Sequence, residues 1–150
     1  MGKKITVSTE EELKLRKSFE FGAYLLITHY LAKNYGMNEL DRFARFWGET
    51  GASGRKGLVA RSRQGFLETE AKIERVWVGR EVKKLNAEGY VGLVRKCPIR
   101  LMSNQHREDL PIDHFCDHIC SIMYPYAYRL LGFESSTEKL DQGCRLVIQS

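Results

Sequence analysis

Residues 134–148 read ESSTEKLDQGCRLVI, and this stretch decides the fold class. Two short segments, 134–140 and 144–148, flank Asp141-Gln142-Gly143, a glycine-containing turn, and the pattern predicts a β-hairpin. Upstream, Tyr90-Val91-Gly92-Leu93-Val94-Arg95 has the β-branched and aromatic content of a strand and delivers Cys97-Pro98 at its end. Between these strands Pro111 suits a first helical position, and Ile112, Phe115, Ile119, Ile122 and Met123 follow at helical spacing. Pro125 is expected to kink or restart that helix, which then continues over Tyr126–Leu131 to Gly132. Residues 104–109 read as a polar loop.

The first half of the chain is helical in pattern. Ser8 and Glu11 fit a capping box, and Leu15, Phe19, Ala23, Leu26, Ile27, Tyr30 and Leu31 recur at spacings of 3 and 4, predicting a helix over 9–35 with one apolar stripe. Asn38 can cap a second helix carrying Leu40, Phe43, Ala44 and Trp47 on one face and ending near Gly48 or Gly51. Residues 48–57, GETGASGRKG, then read as a flexible or lid-like loop. The glycine spacing does not fit a phosphate-binding loop. A third helix is expected over 58–75, with Leu58, Val59, Phe66 and Leu67 in the core. From 76 on, Val76, Val78 and Val82 alternate as in a strand, whereas 81–88 equally suits a short helix. The expected class is α+β: N-terminal helices packed with a small antiparallel sheet that includes the C-terminal hairpin. The 150 residues suit one domain, 1–150, with a helical part over about 8–75 and a cysteine-containing pocket part over about 76–150.

Apolar residues make up 43% of the chain, enough to build a core, and no apolar run approaches the roughly 20 residues of a membrane span. Met1-Gly2-Lys3-Lys4 leads into Ser8-Thr9-Glu10-Glu11-Glu12 without an apolar h-region, so a soluble, cytoplasmic protein is expected. Cys97, Cys116, Cys120 and Cys144 are then expected as thiols. The net charge of +5 is uneven: residues 54–100 hold 12 basic and 5 acidic side chains. Such a region favours an anion, either a small carboxylate or a phosphate backbone, or else forms a solvated face.

Reactive side chains are densest in His114-Phe115-Cys116-Asp117-His118-Ile119-Cys120. Three readings are open. His114 and His118, four apart, have a metal-ligand spacing, although the acidic residue of H-E-x-x-H is replaced by Phe115. Cys116 is alternatively a nucleophile whose thiolate needs a positive partner, more readily from another segment than from the same helix. In the third, Cys116 and Cys120 are small hydrophobes at the core edge and the histidines are solvated.

The order of Cys97-Pro98, then Asp109-Leu110-Pro111 before a helix with Cys116-Asp117, then Gly143-Cys144-Arg145-Leu146-Val147-Ile148, resembles the L-2-amino-thiazoline-4-carboxylic acid hydrolase family over residues 90–150. The ending is also similar to 4-vinyl reductase domains, which are small-molecule binding modules. The first resemblance implies hydrolysis of a cyclic amidine, with a nucleophile, an acid for the leaving nitrogen and a cation for the substrate carboxylate. On that implication Cys116 is the nucleophile, with Cys97 second. Asp117 or His118 is the acid/base. Arg95, Lys96 or Arg100 holds the carboxylate, and Cys144 lines the same pocket. No cofactor is expected; a bound metal would fall to His114 and His118. The partner is a small anionic substrate, no membrane is involved, and Met123–Tyr128 is either core or the interface of a homo-oligomer. Two other functions compete. The second resemblance implies a non-catalytic small-molecule or metal sensor. Residues 81–95, EVKKLNAEGYVGLVR, look like a winged-helix recognition helix leading into its wing, which would make the chain a DNA-binding regulator.

Overall fold

The computed structural model describes residues 8–105 and 113–150. Three helices lead: α1 (Thr9–Tyr35), α2 (Met37–Arg61) and α3 (Arg63–Val78). A hairpin of β1 (Glu81–Asn86) and β2 (Gly89–Val94) follows, then the short α4 (Pro98–Gln105). The chain resumes in a π-helical segment, His114–Cys120, that runs directly into α5 (Ser121–Leu130), and closes with β3 (Glu134–Lys139) and β4 (Cys144–Gln149). The four strands form one antiparallel sheet in the order β1-β2-β4-β3. The class is α+β, with the C-terminal hairpin inside the sheet. Tyr90 and Val94 of β2, with Leu146 and Ile148 of β4, bury one sheet face against the helices. One cluster joins them to Phe21, Leu25, Leu40, Phe66, Phe115 and Tyr128.

The cap of α1 forms as its residues dictate. Ser8 Oγ accepts from the Glu11 N–H, and the Glu11 carboxylate accepts from the Ser8 N–H. Its apolar stripe differs from expectation. The buried residues are Phe21, Leu25 and Thr28, whereas Leu15, Leu26, Ile27 and Tyr30 are exposed and Phe19 is 84% exposed. This 27-residue helix, roughly 40 Å long, carries apolar residues on two sides, and only one side meets the rest of the fold.

The expected loop at 48–57 is a helix. α2 continues through all of it to Arg61, and Ser62 breaks the helix and caps α3 by accepting from the Gly65 N–H. The physical reason is packing. Leu40, Ala44, Gly48 and Ala52, four apart, are buried, and they let α5 approach closely. A Cβ on Gly48 would stand 2.8 Å from the Met123 carbonyl oxygen. Burial outweighs the roughly 1 kcal/mol that each helical glycine costs. Opposite signs are therefore expected along one helix. Gly48→Ala destabilises by about 1–3 kcal/mol through overpacking against backbone. Gly54→Ala, on an exposed site with nothing within 4 Å of the new Cβ, stabilises by about 0.5–1 kcal/mol. Urea midpoints of the two variants check both.

Three further expectations change. Residues 81–86 are a strand, not a helix, so the winged-helix reading loses its recognition helix. Several of the basic residues behind the electropositive third are paired, Arg55 with Glu70, Arg80 with Glu74, Lys83 and Arg95 with Glu81, Lys84 with Glu88. Asn104 and Gln105 end α4 rather than opening a loop, while 106–109, Pro111 and the Asp109-Leu110-Pro111 motif lie outside the described residues. Pro125 sits inside α5. The change from π to α winding falls at Ser121, the residue whose carbonyl Pro125 cannot reach, so the helix restarts one turn before the proline. Met123, Tyr124, Ala127 and Tyr128 are core.

Candidate functional site

The described cysteines all meet at one place. Cys97, Cys116, Cys120 and Cys144 line a cavity of about 160 Å³ between the start of α4, the π-helical segment and the C-terminal hairpin. Each arrives for a local reason. Cys97 precedes α4, and its N–H donates to the Gln142 carbonyl at 2.8 Å, tying the strand end to the hairpin turn. Cys144, Leu146 and Ile148 alternate with Arg145 and Val147 along β4, so Cys144 faces inward with the core residues. Cys116 and Cys120 lie on the π-helical segment beside the buried Phe115 and Ile119. All four are free thiols.

Two cations line the cavity. Arg100, on α4, donates through Nη1 to the Leu140 carbonyl at 2.8 Å and to that of Asp141. Its Nη2 lies 3.8 Å from Cys116 Sγ. No carboxylate pairs with Arg100 among the described residues, and its Nε has no partner there. Lys139, on β3, donates to Asp113 at 2.6 Å and to Asp117 at 3.1 Å, clamping the hairpin onto the π-helical segment and holding the Asp113 carboxyl below its usual range. Beneath them the buried Arg80 donates through Nε to Glu74 at 2.9 Å and through Nη1 to Cys144 Sγ at 3.6 Å. Gly79, left-handed at φ 72°, turns the chain at the end of α3 so that Arg80 runs under the sheet. Gly92 leaves it room, since a Cβ there would stand 2.4 Å from Arg80 Cδ.

Burial pushes the Cys116 thiol above the ordinary range, and Arg100 pulls it part of the way back. Cys144 is raised by burial against the opposing pull of Arg80, and burial raises Cys120 well above the ordinary range. These thiols rest protonated. A thiol whose folded-state pKa is raised stabilises the fold fully below its unfolded pKa, roughly 8.5, and that contribution is lost as pH rises beyond it. The urea midpoint is therefore expected to fall between pH 8 and pH 10, and Cys120→Ala is expected to shallow that fall.

The sequence-derived candidates divide. Cys97, Cys116, Asp117, Arg100 and Cys144 share the cavity. Arg95 and Lys96 do not line it; both are exposed, and Arg95 pairs with Glu81 at 3.1 Å across the β1–β2 hairpin. His118 is turned away, its Nδ1 2.7 Å from Asp41 Oδ1 on α2, which removes it from reach of Cys116. Two positions from Cys116 it falls on nearly the opposite side of the helix, and Asp41, 77 residues away, pairs with its ring. His114 Nδ1 is buried without a hydrogen-bond partner among the described residues, and no group of three or more His, Cys, Asp or Glu there is arranged to hold a metal ion. Sequence reading missed Lys139 and Arg80. Lys139 reads as an ordinary strand lysine. Arg80 had a signal: Phe66, Glu70, Glu74 and Val78 recur every four residues on the buried face of α3, so a buried carboxylate needed a cation nearby.

No protein-family model matches the chain, and no curated protein matches it. No described helix is long and apolar enough to cross a membrane.

Proposed function

We propose that the thiol-lined cavity hydrolyses a small anionic C–N compound of the cyclic-amidine type, 2-amino-thiazoline-4-carboxylate or a close analogue, with Cys116 as nucleophile. The observation that carries this is the Cys116 Sγ–Arg100 Nη2 contact of 3.8 Å inside a cavity that Cys97 and Cys144 also line. The reading takes up the resemblance to the L-2-amino-thiazoline-4-carboxylic acid hydrolase family. Arg100, a cation without a carboxylate partner among the described residues, attracts the substrate's carboxylate. A protonated thiol suits a substrate that is itself a base. As Cys116 Sγ bonds to the ring carbon, its proton passes to the amidine nitrogen that receives the displaced C=N electron pair. The C=N bond re-forms as the ring sulfur leaves and takes a proton from nitrogen to become a thiol; water adds across that bond, its hydroxyl to carbon and its proton to nitrogen, and Cys116 then leaves as a thiol with the hydroxyl proton as the carbamoyl C=O forms. His118 has no part in this. The free thiols suit a reducing compartment, so we place the protein in the cytoplasm.

A second reading is favoured by the cavity's lining, which has no imidazole among the described residues because His118 pairs with Asp41: a pocket that binds its ligand and does not turn it over, as in a small-molecule sensor. One assay separates the two. The purified protein is incubated with 2-amino-thiazoline-4-carboxylate, and carbamoyl-cysteine release is followed alongside equilibrium binding. Catalytic release supports the hydrolase, binding without release leaves the sensor, and neither removes both.

A further inference from the structure

A second cavity, of about 250 Å³, lies between α1, α2, α3 and α5, on the other side of Tyr124 from the thiols. Its walls are aromatic. Tyr24 stands 5.0 Å from Trp47 and 6.1 Å from Trp77, ring centre to ring centre, and all three face it. Two carboxylates also line it, Glu70 and Glu74, 2% and 3% exposed. Glu74 is fully occupied, with Tyr124 donating to one oxygen and Arg80 to the other, each at 2.9 Å. Glu70 is not. Tyr128 donates to Oε2 at 2.9 Å, but Oε1 is buried without a hydrogen bond. The Nε of Arg55 is 2.8 Å from that oxygen, an ion pair made by a side chain that is itself 33% exposed. Burial accordingly holds the Glu70 carboxyl above its usual range despite Arg55.

A buried carboxylate oxygen whose cation reaches it from a partly exposed side chain, beside electron-rich ring faces, is an environment that stabilises positive charge. We propose that this cavity binds a small organic cation, an ammonium or amidinium group on a compact apolar body, with Glu70 as its anchor. The cationic head takes Oε1 in place of Arg55 while the body lies against Trp47 and Trp77. Arg55, at the rim, is an internal competitor that the ligand displaces to solvent. This sets the sign of its effect: removing Arg55 strengthens binding of a cation, whereas it would abolish binding of an anion.

Trp47 and Trp77 are the only tryptophans of the chain and both line the cavity, so intrinsic fluorescence reads it directly. The probes are benzamidine and its isosteric anion benzoate, titrated into the full chain. Benzamidine is expected to give a saturable change and benzoate none. Arg55→Met is expected to tighten benzamidine about threefold or more and Glu70→Gln to weaken it about tenfold, the loss of one charge-assisted hydrogen bond. Arg55→Met changes a partly exposed side chain and carries the test should Glu70→Gln not fold. Cys116→Ala is expected to leave benzamidine binding unchanged, which keeps this site separate from the thiol cavity. Saturation by benzoate instead, weaker benzamidine binding in Arg55→Met, indifference to Glu70→Gln in a folded variant, or no saturable response to either probe would each overturn the proposal.

Discussion

Arg80→Met is expected to cost the protein about 3–5 kcal/mol, the largest stability loss of any single side-chain change considered for this chain. Arg80 is 2% exposed and Glu74 is 3% exposed, so removing the guanidinium strands a carboxylate where water does not reach it. Tyr124 alone still donates to that carboxylate, and one neutral donor does not offset a buried charge. A domain of this size is stable by about 5–15 kcal/mol, so the variant sits near its unfolding limit. The double variant Arg80→Met/Glu74→Gln is expected to recover most of the loss, because it removes the charge together with its partner. Urea unfolding of the two singles and the double measures this. A loss below about 1 kcal/mol in Arg80→Met would mean that the pair is solvated.

On the proposed function, Cys116→Ala is expected to lower turnover of 2-amino-thiazoline-4-carboxylate by about 1,000-fold or more, equivalent to about 4 kcal/mol of transition-state stabilisation. Cys116→Ser is expected to fall nearly as far, since a hydroxyl yields its proton much less readily than a thiol. Cys144→Ala is expected to retain most activity: Cys144 Sγ contacts Arg80 beneath the cavity, not Arg100. The comparison with Cys97→Ala is decisive for the assignment. If Cys97→Ala abolishes turnover while Cys116→Ala keeps it, Cys97 is the nucleophile. Circular dichroism of each variant shows that activity and not folding is being read.

Much of this was legible from local chemistry. The Ser8–Glu11 cap, the strand over Tyr90–Val94 and the turn at Asp141-Gln142-Gly143 are set by neighbours in the chain, and each forms. What was not legible depended on distant partners. The helix through GETGASGRKG exists because Gly48 admits α5. The strand Glu81-Val82-Lys83-Lys84-Leu85-Asn86 is mostly exposed and owes its form to pairing with β2, so its residues alone suit a helix equally well. Apolar residues occur on both sides of α1, so their spacing alone does not say which side is buried. At the candidate site, the four cysteines meet in one cavity, and of the three cations expected there only Arg100 lines it. Arg95 and Lys96 follow the strand and are exposed, whereas Arg100 lies in the first turn of α4 and Lys139, which sequence reading missed, comes from β3.

Cys116 is a thiol beside Arg100, a cation that no carboxylate pairs among the described residues, and the proposed chemistry needs small anions to reach it. Iodoacetate and iodoacetamide alkylate the same thiols and differ in charge, and a carboxylate is ordinarily repelled as a thiolate forms. Site-resolved mass spectrometry of the folded protein at pH 8.5, comparing the two reagents at each cysteine, reads that property directly. The predicted result is a reversed preference at Cys116, with iodoacetate reacting faster than iodoacetamide, and loss of the reversal in Arg100→Gln. Faster reaction of iodoacetamide at Cys116, or a Cys116 that neither reagent reaches while the protein stays folded, would contradict it.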